Sequence, residues 1–226
     1  MKIMPQLEIS DLSVHYSTSH GSVHALGNIE FRLGDGESIG IAGESACGKS
    51  TLGLSVMRMI QGGRIVSGKI VFDGESILEM PSSKFDKNIR WKKISMVFQG
   101  AMNSLDPVFT IEHQFDEVLK QHKFKGDSNK VINDAVRSVN LDSSVLKKYP
   151  HELSGGMKQR IVIAMALLLK PKFVIADEPT TALDVLIQAQ IINLLKNLKK
   201  EGMSLMLISH DPVSYTHLTL PTIYSV

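Results

Sequence analysis

The chain predicts an α/β fold. A core sheet of buried strands is expected with flanking helices, beside a small antiparallel β subdomain and an inserted helical subdomain. Three observations carry this. A glycine-rich loop, Gly43-Glu44-Ser45-Ala46-Cys47-Gly48-Lys49-Ser50-Thr51, joins the apolar run at 38–42 to a helix-spaced run at 52–60. Four consecutive apolar residues, Phe173 to Ala176, then end in two carboxylates, Asp177 and Glu178. Between these, residues 100–149 carry helix and loop patterns with no strand signal.

The loop reads G-x-x-x-x-G-K-[ST], the phosphate loop of P-loop NTPases, in the strand–loop–helix setting that motif requires. Its glycines let successive backbone N–H groups turn inward onto phosphate oxygens. Lys49 adds a full charge at the β/γ-phosphates, and Ser50 offers a hydroxyl to Mg²⁺. The following helix points its positive end at the same anion. A nucleoside triphosphate is the expected ligand.

Composition fits one such domain with an insertion. The chain has 226 residues, 43% of them hydrophobic, enough for a sizeable core. A formal charge of +2 is too small to make nucleic acid or an anionic membrane the main partner. The single cysteine rules out an internal disulfide and suits a reducing compartment. The first ten residues lack a signal core. The longest apolar run, 161–169, falls far short of the roughly twenty residues a membrane span needs.

In chain order, residues 7–16 alternate as a strand. Residues 28–33 form a second, turning through Gly34-Asp35-Gly36 towards the phosphate loop. Tyr16 would stack on a purine from this sheet; by spacing alone it is equally a half-buried strand aromatic. Residues 68–74 and 94–98 are further strands. Gln99 closes the second at the edge of the sheet where ligands bind, a candidate for Mg²⁺ or the attacking water. Residues 110–122 and 130–141 carry one-faced apolar periodicity and form helices. Pro150 is expected to stop a helix, and Ser154 to cap the next, where Gly155 and Gly156 offer free N–H groups; such a start is a candidate second anion site, and by itself more often an ordinary cap.

The carboxylates after Phe173-Val174-Ile175-Ala176 would be costly at a buried strand end unless they met a cation or substrate. Asp177 suits Mg²⁺ held through water, and Glu178 suits the proton of the attacking water. Residues 185–201 are an amphipathic helix and 204–208 a last strand, with His210 just beyond it.

Taken together, residues 7–211 resemble the ATPase subunit of an ABC transporter. The decisive element is Leu153-Ser154-Gly155-Gly156-Met157-Lys158-Gln159-Arg160, which matches that family's signature. The resemblance implies an ATPase that pairs head to tail with a second ATPase subunit. Ser154, Gly155 and Gly156 would then bind the γ-phosphate held by the partner's phosphate loop. It further implies that Tyr16 takes the adenine, that Gln99 senses Mg²⁺ and the membrane subunit, that Leu183-Asp184 crosses the dimer interface, and that His210 contacts the γ-phosphate. ATP and Mg²⁺ are the implied cofactors.

Phe98 to Pro107, Tyr149 to Leu153 and Pro179 to Asp184 resemble importers of the dipeptide/oligopeptide class, a pattern nickel importers share. That class implies a heterodimer under two transmembrane permease subunits at the cytoplasmic face of the cell membrane. An extracytoplasmic substrate-binding protein would supply them, and nucleic acid has no part.

The ATPase domain is expected over residues 1–211, with a helical subdomain at about 100–160, and the resemblance stops at 211. Residues 212–226 read as a non-native tail: 213–222 is what a sequencing-library adapter would encode in one frame. A C-terminally truncated cassette with an unpaired sheet edge is expected. Two rivals stand beside this reading. An ABC-type ATPase of DNA maintenance or translation would carry coiled-coil arms or a second phosphate loop. An inactive truncated fragment would keep the motifs without the activity.

Overall fold

A computed structural model describes residues 6–19, 21–210 and 223–225. The chain runs through β1 (Leu7–Thr18), β2 (Gly21–Leu33), β3 (Ser38–Ala42), α1 (Lys49–Val56), β4 (Gly63–Phe72) and β5 (Glu75–Ser76). It continues through α2 (Ser82–Asn88), β6 (Ile94–Val97), α3 (Ile111–Gln121), α4 (Ser128–Ser138) and α5 (Gly155–Leu167). Last come β7 (Phe173–Asp177), α6 (Val185–Lys200), β8 (Ser204–Ser209) and β9 (Ile223–Ser225).

Two sheets result. β2-β1-β4-β5 is antiparallel and β6-β7-β8-β3-β9 is parallel. The parallel strands are apolar without interruption because both faces are covered. Ile175, Met206 and Ile41 face one core, shared with Leu52 and Val56 of α1 and with Leu7, Ile9 and Phe72 of the antiparallel sheet. Val174, Ala176 and Leu207 face the other, shared with Phe115, Val136, Ile161 and Leu195 of the helices. α1 is therefore held between the two sheets, and its N-terminus is fixed at the ends of the parallel strands.

Helix starts follow side-chain caps. Thr110 accepts from the His113 N–H at 3.4 Å, Asp127 from Lys130 at 3.0 Å and Asp184 from Ile187 at 3.0 Å. No described helix is long and apolar enough to cross a membrane.

Several boundaries differ from expectation. The helix after the phosphate loop ends at Val56, not Ile60. Arg58 turns to φ 53° there and its guanidinium donates to the carbonyls of Ile77 and Met80 at 3.1 and 2.6 Å. Pro150 stops no helix: α4 ends at Ser138, and Pro150 opens a 3₁₀ turn, Pro150–Glu152. A missing N–H costs nothing at the first position of a helical turn. α2 left no periodic signal because it is seven residues long and buries only Phe85. β2 begins seven residues before the expected strand.

The tail reading for 212–226 falls mostly on residues outside those described. The edge of β3, expected to be unpaired, carries Ile223–Ser225 opposite Gly40–Ala42. An open ladder of N–H and C=O groups accepts any short extended segment within reach.

Candidate active site

The phosphate loop leaves the C-terminal end of β3 and closes onto α1. Its tightest point is Gly48, at φ 99°. A Cβ there would lie 2.2 Å from the Ala25 carbonyl oxygen and 2.9 Å from a Leu26 methyl. Backbone sign and close approach both demand glycine. Ala25 sits beside a register shift in the β1–β2 ladder, between the pairs Val14–Leu26 and His15–His24. The β subdomain is thus pressed onto the loop.

Lys49 is only 5% exposed. Its ammonium donates to the Gly43 carbonyl at 2.8 Å and to the Glu44 carbonyl, and lies 3.5 Å from Cys47 Sγ. The charge is held inside the curl of the loop, where phosphate oxygens would compete for it. A cleft of about 360 Å³ opens over this loop. Tyr16, Val23 and Ala25 form one wall, and Gln99 and Glu178 close the other. Tyr16 is half-buried, its hydroxyl 3.4 Å from Thr51 Oγ1.

The acidic end of β7 completes the site. Asp177 is 2% exposed, and its Oδ1 is buried without a hydrogen-bond partner. Burial pushes its carboxyl above the ordinary aspartate value, against the pull of the Ser50 hydroxyl and the Lys49 charge. A buried, under-satisfied carboxylate beside Ser50 is suited to a hard cation.

Glu178 is held differently. Its backbone takes the left-handed value φ 45° while its N–H donates to the Ile208 carbonyl at 2.9 Å. Both carboxylate oxygens are engaged. Gln99 Nε2 donates to Oε2 at 2.8 Å, the Thr181 hydroxyl to Oε2 at 2.9 Å, and His210 Nδ1 lies 3.0 Å from Oε1. Burial raises this carboxyl, but the hydrogen bonds from His210 and Thr181 outweigh it and hold Glu178 below the usual glutamate range. It is an ionised carboxylate at neutral pH, fixed in place. A strained backbone at a clamped acid is typical of a catalytic position.

Ser154 caps α5 as expected, its Oγ accepting from the Met157 N–H at 3.3 Å. A Cβ on Gly156 would lie 2.7 Å from an Ile187 methyl, so glycine lets α5 sit against α6. Ser154 and Gly155 are exposed, and none of Ser154, Gly155 or Gly156 lines the cleft over the phosphate loop.

The structure therefore brings Tyr16, residues 43–51, Gln99, Asp177, Glu178 and His210 to one place and leaves residues 154–156 on another surface. Motif reading missed Val23 and Ala25, because their strand was begun too late. It also missed Thr181, although a hydroxyl three residues beyond an acid is a recognisable turn partner.

Comparison with known proteins agrees with this architecture. The family model for ABC transporters matches residues 26–181. The oligopeptide transport ATP-binding protein OppD of Escherichia coli is 42% identical over 213 residues, covering 92% of this chain and 63% of that protein. The dipeptide transport ATP-binding protein DppD of Escherichia coli is also 42% identical, covering 92% of this chain and 65% of that protein. The chain thus spans about two thirds or less of the length of these relatives. Among solved structures, a dimeric ATP-binding cassette in a post-hydrolysis state, bound to ADP and Pi, superposes with a TM-score of 0.84. It is 25% identical, over 97% of this chain and 94% of that one. With its phosphate loop, the Asp177-Glu178 pair at the end of β7 and the α5 signature inside the matched span, the chain belongs to the ABC transporter family.

Proposed function

We propose that this chain is the ATP-binding and ATP-hydrolysing subunit of an ABC importer for peptides, working at the cytoplasmic face of the cell membrane. The observation that carries the reading is the clamp on Glu178. An ionised carboxylate faces the phosphate-loop cleft, held by Gln99, Thr181 and His210. Phosphoryl transfer to water needs mainly positioning and charge neutralisation. Lys49 and the loop N–H groups bind the phosphates, Tyr16 flanks the base, and Glu178 accepts the proton of the attacking water. Gln99 and His210 orient that carboxylate, and His210 would contact the γ-phosphate.

Mg²⁺ suits the residues present. Ser50 and Gln99 would ligate it and Asp177 would hold it through water, giving the unpartnered Asp177 Oδ1 its missing contact. Bound there, the ion neutralises charge that develops on the transferred phosphoryl group.

A second ATPase subunit, packed head to tail, accounts for the exposed signature, which would serve the partner's nucleotide. Val185 and Leu186, 81% and 69% exposed at the start of α6, support a partner surface beside Leu183-Asp184. The likeness to the peptide-transport ATPases supports, as the assembly proposed, a heterodimer under two transmembrane permease subunits, fed by an extracytoplasmic binding protein. Residues 1–211 form the cassette, 100–160 its helical subdomain, and 212–226 a tail foreign to it.

Disruption of the gene in its host, followed by uptake of a radiolabelled oligopeptide, tests the reading. Loss of uptake, restored by the wild-type gene but not by Glu178→Gln, is expected. Unchanged uptake in the disrupted strain overturns the peptide assignment.

A further inference from the structure

At the end of the parallel sheet away from the nucleotide cleft, a pocket of about 510 Å³ opens where three segments meet. One wall is α4, and the others are the connections from α5 to β7 and from α6 to β8. β7 and β8 begin directly after those connections, at Phe173 and Ser204, and run to Asp177 and Ser209, beside Glu178 and His210. The pocket therefore lies a full strand length from the catalytic end and shares no lining residue with the phosphate-loop cleft.

Its floor and its mouth have different chemistry. Val131, Ala135, Leu168, Leu198 and Met203 supply apolar surface from buried or half-buried positions. At the mouth, exposed Asp134 and Glu201 carry negative charge, and exposed Lys170 and Lys172 carry positive charge. None of these four forms an ion pair among the described residues. The carbonyl end of α6, at Glu201, adds to the negative side.

We infer that this pocket binds a short zwitterionic peptide, of two or three residues, with apolar side chains. The volume falls in the range of small-ligand sites, and an extended tripeptide is only about 10 Å long. Its side chains would cover the apolar floor, which is where most of the affinity arises. Its ammonium group meets Asp134 and Glu201, and its carboxylate meets Lys170 and Lys172. A ligand with one sign of charge would face its like at the mouth, and a polyphosphate would face two carboxylates with no use for the apolar floor. Peptides of this kind are also what the proposed importer would deliver, so the ATPase would meet its own cargo here. The binding itself rests on the lining and not on that reading.

The test is calorimetric titration of the tag-free chain with trileucine, without nucleotide. One peptide per chain is expected. N-acetyl-trileucine amide keeps the apolar body and loses both charges, and is expected to bind roughly tenfold or more weakly. Asp134→Lys and Lys172→Glu, both at exposed positions, should each weaken trileucine by a similar factor. Ser138→Trp, from the exposed part of α4 that lines the mouth, should block entry. Circular dichroism verifies that each variant keeps its fold. No binding of trileucine up to millimolar concentration, equal binding of the capped peptide, or undiminished binding by all three variants overturns the site. Tighter binding of octanoate than of trileucine would assign the pocket to apolar anions and overturns it equally. No arm uses ATP hydrolysis or transport, so failure here is distinct from failure of the proposed function.

Discussion

Two helix N-termini in this molecule have the composition of anion sites, and they are built in opposite ways. α1 begins inside a cleft. Gly48 is wedged against Ala25, Lys49 is drawn into the loop, and the acids at the end of β7 stand across from it. α5 begins on the surface, with Ser154 and Gly155 exposed and outside the lining of the phosphate-loop cleft. One end is a complete half of a reaction site. The other presents its donors away from that cleft. The contrast supports a shared nucleotide, in which each chain completes the site of another.

The largest expected effect breaks the α1 side of this comparison. Glu178→Gln keeps the hydrogen-bonding shape but loses the base, so steady-state phosphate release should fall by roughly a hundredfold or more. Binding of a fluorescent ATP analogue should be retained. Unchanged turnover in that variant removes Glu178 from its role. Breaking the α5 side should act differently. Ser154→Arg is expected to leave ATP binding intact while cutting hydrolysis about tenfold or more, together with ATP-dependent dimerisation seen by light scattering. Normal hydrolysis would mean that α5 serves no second nucleotide.

Cys47 sharpens the comparison with a smaller effect. Its thiol lies inside the phosphate loop, 3.5 Å from the Lys49 ammonium. An alkylating reagent should inhibit binding, and ATP should protect in proportion to occupancy. Inhibition that ATP does not slow would place the thiol outside the nucleotide's footprint.

The smallest effect concerns stability. Asp177 has a raised folded-state value, so the native chain holds that proton more tightly than the unfolded chain does. Its contribution therefore falls as pH rises through the usual aspartate range to the folded value, and the ionised group is a cost at pH 7. Asp177→Asn should raise the Tm of the nucleotide-free chain at pH 7, with the gain shrinking in acid, while weakening Mg²⁺-dependent ATP binding. Calorimetry resolves this, since each kcal/mol shifts a chain of this size by about 2–4 °C. A lower Tm at pH 7 would show that the carboxylate is satisfied by its neighbours. Residues that bind substrate often lower stability in this way.

Much of the molecule was legible before its structure. The phosphate loop, the acidic end of β7 and the cap at Ser154 are local patterns. Each is set by a few adjacent residues whose backbone geometry depends on glycine, strand burial or a side-chain oxygen three residues from an N–H. Helices α3, α4 and α6 show their apolar faces at helical spacing for the same reason.

What the chain order could not decide are the contacts between distant segments. Glu178 is clamped by Gln99 and His210, 79 and 32 residues away, and only the parallel pairing of β6, β7 and β8 brings those strand ends together. Gly48 needs to be glycine because β2 presses on it, a fact held in neither segment alone. Ala25 meets Gly48 beside a register shift in the β1–β2 ladder that neither strand's own pattern announces. Side-chain chemistry and short-range spacing determined which residues could act. Sheet packing decided which of them meet, because register and strand order are set by burial summed over the whole core.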